Sequence, residues 1–244
     1  GFPTGLKWEI TRKAEGSPKY MIVNEQETAG GVLTYLKENI LYHQDELLKE
    51  AALPDVYKIF DRIAESVPAG SNGVIFTPWL NGERTPVEDN SVRACLYNLS
   101  LDNTREDIVR AFLEGVAFNQ RWVLGYAEKF CGRKMNPLHI VGGGAISDVW
   151  CQIHADVLNR TVRQVKDPML ANLRGSGLLG AVALGYLHFE DIPDLVEVAQ
   201  YHRLTPEAVV VGDIGDAWSP ALMQSLFENL MDGSRFVALH KGRY

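Results

Sequence analysis

A short apolar segment that runs directly into three consecutive glycines constrains this chain more than any other feature. Residues 138–141 read as a buried strand, residues 142–144 are the glycines, and Ser147 and Asp148 open a helical pattern. Without Cβ atoms, such a turn admits positive φ angles and lets a ligand lie against the backbone. The N–H groups and the dipole of the following helix attract anionic or oxygen-rich groups. The segment therefore predicts a shelf for a nucleotide.

The glycine pattern has a second interpretation. It is neither G-x-G-x-x-G nor the lysine-bearing phosphate loop, and three glycines can mark only a tight turn. Ser147 likewise has two possible purposes, because a serine at this position can cap the helix without touching a ligand. The residues of this segment leave both interpretations open.

The hydrophobic pattern around this segment alternates between strands and helices. Strands are predicted at residues 20–23, 74–76, 138–141 and 161–165. Helices are predicted at residues 28–42, 55–67, 104–131, 147–158, 172–186, 193–201 and 219–231. Such alternation is typical of an α/β sheet covered by helices. A turn-rich cluster at residues 68–73 punctuates the chain, but no linker divides it, so we expect one domain over residues 1–244.

The longest predicted helix carries two specific signals. Thr104 can cap its first turn, and Asp107, three residues later, can accept a hydrogen bond in return. Gly115 lies on the apolar face, where it weakens the helix by about 1 kcal/mol relative to alanine. We therefore expect Gly115 to allow close packing against another backbone.

Composition excludes several classes of function. The chain has 31 acidic and 24 basic residues and a net charge of −7, which disfavours nucleic acid as a partner. Its apolar runs are far shorter than the roughly 20 residues of a membrane helix, so no membrane partner is expected. Three cysteines without C-x-x-C spacing suit a reducing cytoplasm, and the six histidines show no metal-ligand spacing.

Three further segments accompany the glycine turn in a fixed order. They are Thr-Pro-Trp-Leu-Asn-Gly-Glu-Arg-Thr-Pro at 77–86, Arg-Ala-Cys-Leu-Tyr-Asn-Leu at 93–99 and Asp-Ile-Val-Arg-Ala-Phe-Leu-Glu-Gly at 107–115. Together with the glycine segment and the helix at 150–158, they resemble the carboxyl-terminal domain of the FGGY carbohydrate kinase family, and most of all its xylulokinase-like members. The resemblance is strong over residues 73–188 and faint before them.

This resemblance implies a ribonuclease H-like fold of the actin-like ATPase type, with Mg²⁺ and ATP bound between two domains. The family phosphorylates a sugar or polyol, and its catalytic aspartate lies in the amino-terminal domain. We therefore expect this chain to supply the ATP-binding half, to contain no catalytic residue and to transfer no phosphate alone. Its own amino-terminal domain would be its partner, and the apolar wall of an isolated half could also pair two copies.

The resemblance also assigns site residues. The cofactor-binding positions that it implies are Gly142, Gly143, Gly144, Ala145, Ser147 and Asp148. It places Glu83 and Arg84 in a loop near the cleft between the domains, although for Glu83 a salt bridge that holds the loop is the preferred interpretation. Arg84 would approach the phosphates or the other domain.

Three residues depart from the family pattern. Asn98 replaces a glycine, and Ile146 replaces a polar or basic residue. Asp148 stands where some relatives read adenine with an amide, and a carboxylate would accept from the adenine amino group but not donate. Two alternatives stay open, namely a nucleotide-binding module without catalysis and a hydrolase or chaperone-like ATPase of the same superfamily. The segment at 77–86 favours the sugar kinases over the second.

Overall fold

The computed structural model describes the backbone of residues 9–10 and 22–23, and the whole of residues 25–41, 55–86 and 88–205. The predicted helix at 219–231 lies outside these ranges. Within them the strands are β1 (Glu9–Ile10), β2 (Ile22–Val23), β3 (Ile75–Thr77), β4 (Cys95–Tyr97), β5 (Leu138–Ile140), β6 (Val162–Val165) and β7 (Val198–His202). The α-helices are α1 (Gly31–Leu36), α2 (Val56–Ser66), α3 (Arg105–Cys131), α4 (Asp148–Leu158), α5 (Ala171–Ala183) and α6 (Ile192–Leu195).

The strands pair in both parallel and antiparallel directions. β1 pairs with β2 and β3 pairs with β4, both antiparallel. β5 and β6 run parallel with α4 between them in the chain, and β7 joins β6 antiparallel. A parallel pair requires a crossover connection, which α4 supplies. The two parallel strands therefore end at the same edge of the sheet.

One predicted helix is wrong. Residues 193–201 were expected to be helical, but α6 ends at Leu195 and β7 follows, with Arg163 of β6 opposite Tyr201 of β7. The local pattern was weak, and pairing with the open edge of β6 supplies hydrogen bonds that a short exposed helix would not. Tertiary pairing therefore overrides local propensity at this point.

Helix α3 is the centre of the main core. Asp107 accepts a hydrogen bond from the backbone N–H of Thr104 at 2.8 Å, which confirms that part of the predicted helix start. A Cβ atom on Gly115 would lie 2.2 Å from the carbonyl oxygen of Phe76, which confirms the predicted close approach to another backbone. Beside this contact, the rings of Phe76 and Phe112 stack with centroids 3.7 Å apart. The approach fixes β3 against α3.

Helix α5 contrasts with α3. None of its residues is buried, and Cβ atoms on Gly175, Gly177 and Gly180 would meet open space. Among the residues that the structure describes, these glycines therefore do not pack against a sheet. In that same part of the chain, no helix is long and apolar enough to cross a membrane.

Candidate functional site

The glycine turn lies between the end of β5 and the start of α4. Gly142 has φ 88° and ψ −170°, a conformation that is essentially restricted to glycine. Its N–H donates to the carbonyl oxygen of Pro168 at 2.9 Å, which ties the turn after β5 to the turn after β6. Ligands in open α/β sheets bind outside the carboxyl ends of the strands, and both turns lie there.

The other two glycines differ in what they contact. A Cβ atom on Gly144 would lie 2.8 Å from Cζ3 of Trp150, so this glycine makes room for the indole ring. Gly143 is exposed, and the nearest atom to a Cβ there would be Sδ of Met169 at 3.7 Å, an ordinary contact distance. The fold therefore explains Gly142 and Gly144, whereas neither its backbone conformation nor its packing requires glycine at position 143.

Ala145 and Ser147 support the turn from within the protein. Ala145 is fully buried, and its carbonyl oxygen accepts from Nε2 of Gln164 at 2.8 Å. The hydroxyl of Ser147 accepts from the N–H of Trp150 at 2.9 Å and donates to Asp61 at 2.6 Å. The first bond is a helix cap, so the structural purpose considered for Ser147 is present.

Asp148 is exposed at the start of α4, where its Oδ1 accepts from Nε2 of Gln164 at 2.9 Å. The sequence reasoning missed Gln164 and Asp61. A signal for Gln164 existed, because it shares a strand face with buried Val162 and is a polar residue on that face. No comparable signal marked Asp61, an acidic residue on an amphipathic helix.

Asp61 connects the start of α4 to α2. Burial raises the pKa of its carboxyl, while the hydrogen bond from Ser147 lowers it and the neighbouring Asp148 raises it. The same side of α2 borders an open depression of about 510 Å³, lined by Asp55, Lys58, Ile59, Asp61 and Arg62. The hydrogen bond from Ser147 to Asp61 therefore places this depression next to the start of α4.

Glu83 holds its loop from inside the protein. Only 1% of the residue is exposed. Its Oε1 accepts from the backbone N–H groups of Glu27 at 2.9 Å, Arg84 at 2.8 Å and Thr85 at 3.4 Å, and its Oε2 accepts from Asn119 at 2.8 Å. Burial raises the pKa of the Glu83 carboxyl, and these hydrogen bonds lower it. The expected salt bridge is therefore replaced by hydrogen bonds from three backbone N–H groups, which hold the loop, and from the side chain of Asn119, which connects the loop to α3.

Arg84 is half-exposed and has partners within the chain. Its guanidinium pairs with the carboxylates of Glu25 and Glu27, which precede α1. Thr85 adds a hydrogen bond from its hydroxyl to the carbonyl oxygen of Glu25 at 2.7 Å. The structure therefore joins residues 25–27 and 83–85 into one surface, and it brings neither Glu83 nor Arg84 into contact with the glycine turn.

Asn98, which stands where the family pattern has glycine, has a left-handed backbone conformation. Its φ is 62°, in the left-handed region that asparagine tolerates better than most residues. Its side-chain amide donates to the carbonyl oxygen of Gly73 at 3.1 Å. Asparagine at this position is therefore compatible with a left-handed turn.

Comparison with protein-family models identifies this architecture. Residues 3–184 match the model described as the FGGY family of carbohydrate kinases, C-terminal domain. The chain belongs to this family. The match begins well before residue 73, so the FGGY similarity also covers the amino-terminal segments, where the sequence motifs were faint.

Individual FGGY relatives agree with the family model. A xylulose kinase of Staphylococcus epidermidis is 31% identical over 169 residues, which cover 69% of this chain and 31% of the relative. A gluconokinase of Bacillus licheniformis is 30% identical over 179 residues, covering 73% of this chain and 34% of the relative. The chain thus spans about a third of the length of these relatives.

Solved structures show the same fold. A ligand-bound xylulose kinase from Lactobacillus acidophilus matches with a TM-score of 0.68 at 21% identity, covering 88% of this chain and 40% of that chain. The chain therefore has the actin-like ATPase fold of the FGGY sugar kinases.

In the part of the chain that the structure describes, no group of three or more histidine, cysteine, aspartate or glutamate side chains could hold a metal ion.

Proposed function

We propose that this chain binds ATP at the glycine turn and supplies the nucleotide-binding half of a kinase that phosphorylates a sugar or polyol. The observation that carries the proposal is Gly143, an exposed glycine at the carboxyl ends of two parallel strands whose missing side chain neither packing nor backbone geometry explains. A nucleotide that lies against the backbone at this point would explain it.

The residues that we propose bind the nucleotide or hold its site are Gly142, Gly143, Gly144, Ala145, Ser147 and Asp148. They have different roles in this proposal. Gly143 faces the nucleotide, and the exposed carboxylate of Asp148 accepts from the amino group of adenine. Ala145 and Ser147 act mainly by holding the turn and the start of α4 in place, because their polar groups already have partners in the protein.

Magnesium enters this proposal with ATP. Mg²⁺ commonly keeps several waters and is held by phosphates and one or two carboxylates, so a built cage of side chains is not required. Bound in this way, it neutralises charge that develops on the transferred phosphoryl group. The residues of this chain bind and orient the nucleotide, while we assign the base that removes the acceptor proton to an amino-terminal domain.

The acceptor is a sugar or polyol, and the similarity to xylulose kinases favours a ketose. We place the protein in the cytoplasm, since all three cysteines are unpaired.

We also propose that residues 1–244 act as one domain. Glu83 and Arg84 maintain the shape of the surface at residues 25–27 and 83–85, which we propose faces the other domain. A second copy of the chain could cover exposed apolar side chains of an isolated half.

A two-step experiment tests the proposed function. The 244-residue chain is titrated with ATP in a calorimeter, and ADP release is then measured with a panel of ketoses and polyols, with and without an amino-terminal FGGY domain. We expect binding by the chain alone and phosphate transfer only with both domains. Absence of ATP binding, or transfer by the chain alone, contradicts the proposal. Binding without transfer in the two-domain protein would instead indicate a non-catalytic module.

A further inference from the structure

Gln164 occupies a central position beneath the glycine turn. It lies in β6, the middle strand of the sheet formed by β5, β6 and β7, and only 7% of the residue is exposed. Buried side-chain amides require hydrogen-bond partners, because an unpaired polar group inside a protein is costly. Gln164 has three such partners, and they belong to three different parts of the fold.

The chemistry of these partners fixes the orientation of the amide. The NH₂ group donates to the carbonyl oxygen of Ala145 at 2.8 Å and to Oδ1 of Asp148 at 2.9 Å. A carbonyl and a carboxylate can only accept, so the remaining oxygen of Gln164 must accept from Nε2 of His202, which lies 3.1 Å away. His202 is itself buried, at 4% exposure, so it also holds Gln164 in place.

We propose that Gln164 is a positioning residue that sets the geometry of the glycine turn for the nucleotide. This inference rests on the proposed function. One amide holds the carbonyl of Ala145, which closes the turn, and the carboxylate of Asp148, which begins α4. The opposite end of the turn is held at Gly142 by the carbonyl of Pro168. Gly143 lies between these two anchors, so its position depends on both of them.

The effect of Gln164 on binding arises through preorganisation. Without the amide, the buried carbonyl of Ala145 loses the hydrogen bond from Gln164. Because a buried carbonyl without this donor is costly, the turn is expected to shift so that water can reach the oxygen. A ligand that requires the turn in its present geometry must then restore that geometry on binding, which lowers affinity. We expect roughly ten-fold weaker ATP binding, the size expected for one lost buried hydrogen bond.

A Gln164→Met variant tests this role with a control matched for stability. Methionine keeps the length of the side chain and removes all three hydrogen bonds. Val157→Ala, a buried position of α4 in the main core, supplies a variant destabilised by a cavity away from the turn. ATP affinity is measured by calorimetry and stability by urea unfolding. We expect weaker binding for Gln164→Met and unchanged binding for Val157→Ala at a similar loss of stability.

A reciprocal exchange provides a second measurement that does not depend on methionine. Gln164→Glu places two carboxylates against each other, and adding Asp148→Asn restores a donor and an acceptor between positions 148 and 164. We expect Gln164→Glu to bind ATP more weakly than wild type. We expect a smaller loss of affinity when the double variant is compared with Asp148→Asn alone. No recovery would overturn the part of the inference that assigns a positioning role to the contact between positions 148 and 164.

The outcomes separate this inference from the proposed function. If wild type binds no ATP, the proposed function is wrong and the inference falls with it. If wild type binds ATP and Gln164→Met binds equally well, Gln164 has only a structural role and the proposed function stands. If Gln164→Met and Val157→Ala weaken binding equally at equal stability, the effect is a general one and the inference is likewise overturned.

Discussion

The glycine turn and the loop around Glu83 both match sequence motifs of the same family, yet the structure uses them differently. In the loop, the carboxylate of Glu83 accepts four hydrogen bonds and the guanidinium of Arg84 pairs with two glutamates, all within the chain. In the turn, Gly143 is exposed and no packing explains its missing side chain. The loop is built to hold its own shape, whereas the turn leaves a backbone surface open to a ligand.

A family motif can therefore mark either a surface that is left open to a ligand or the frame around such a surface. Substitutions in the loop should therefore change mainly the free energy of unfolding. Substitutions in the turn should change mainly the affinity for nucleotide.

The largest effect is expected where the loop and its strand meet α3. Gly115→Ala would place a methyl group against the backbone of Phe76, so we expect a loss of more than about 4 kcal/mol in the free energy of unfolding. Gly125→Ala, in the same helix with open space around it, should instead stabilise by about 1 kcal/mol. Urea unfolding of both variants measures the contrast, and similar values for the two would contradict the close approach.

The helix that begins at the turn should respond to acid. Burial lowers the pKa of His154 to about 4, while its Nδ1 lies 2.7 Å from the carbonyl oxygen of Trp150. The unfolded chain, with an ordinary histidine pKa near 6.5, gains a proton before the folded chain does. Stability is therefore lost as pH falls from about 6.5 to 4, by about 3 kcal/mol in total from this residue.

Two variants check the contribution of His154. His154→Gln should flatten the dependence of unfolding free energy on pH across that window, whereas His188→Gln, at an exposed position, should leave it unchanged. An unaltered pH dependence in His154→Gln would show that this side chain does not carry the effect.

A smaller effect is expected for the loop itself. Glu83→Ala removes the acceptor of three backbone N–H groups and of Asn119, and we expect a loss of about 2 kcal/mol in the free energy of unfolding. ATP affinity, measured by calorimetry at a temperature where the variant is folded, should stay at the wild-type value. Glu65→Ala, an exposed acidic position of α2, is the control. Normal stability with lost ATP binding would place Glu83 in the site instead of the frame.

The smallest effect is expected for Arg84→Ala. Exposed ion pairs contribute little to stability, so the urea midpoint should hardly change. ATP affinity should also match wild type, since the guanidinium pairs with Glu25 and Glu27 and not with groups at the turn. Turnover with sugar in the two-domain protein shows whether Arg84 only holds its own surface or also contacts the other domain or the phosphates. A strong loss of turnover with unchanged ATP affinity would assign Arg84 to the other domain or to the phosphates.

The sequence predicted the local elements well where one physical signal dominated. The apolar face, cap and length of α3 were predictable because its helical pattern extends over many residues. A glycine on the apolar face, Gly115, predicted the close backbone contact. β7 was not predictable, because its extended form depends on pairing with β6 and not on its own residues.

The glycine turn itself was predictable from the sequence, but the different structural roles of its residues were not. Three adjacent glycines look equivalent in a sequence, yet Gly142 meets a backbone requirement, Gly144 makes room for Trp150, and Gly143 does neither. Gln164 was missed because its importance comes from residues 16 and 38 positions away in the chain, which only the folded structure brings together.

The most direct test of nucleotide binding at the glycine turn is the ATP affinity of Gly143→Val, measured by calorimetry beside wild type and Gly125→Ala. The backbone at Gly143 is not left-handed and its surroundings have room for a Cβ, so the variant should unfold at nearly the wild-type urea midpoint. We predict at least roughly ten-fold weaker ATP binding, because the added side chain occupies the space proposed for the nucleotide. Wild-type affinity in a fully folded Gly143→Val variant would contradict binding at the glycine turn.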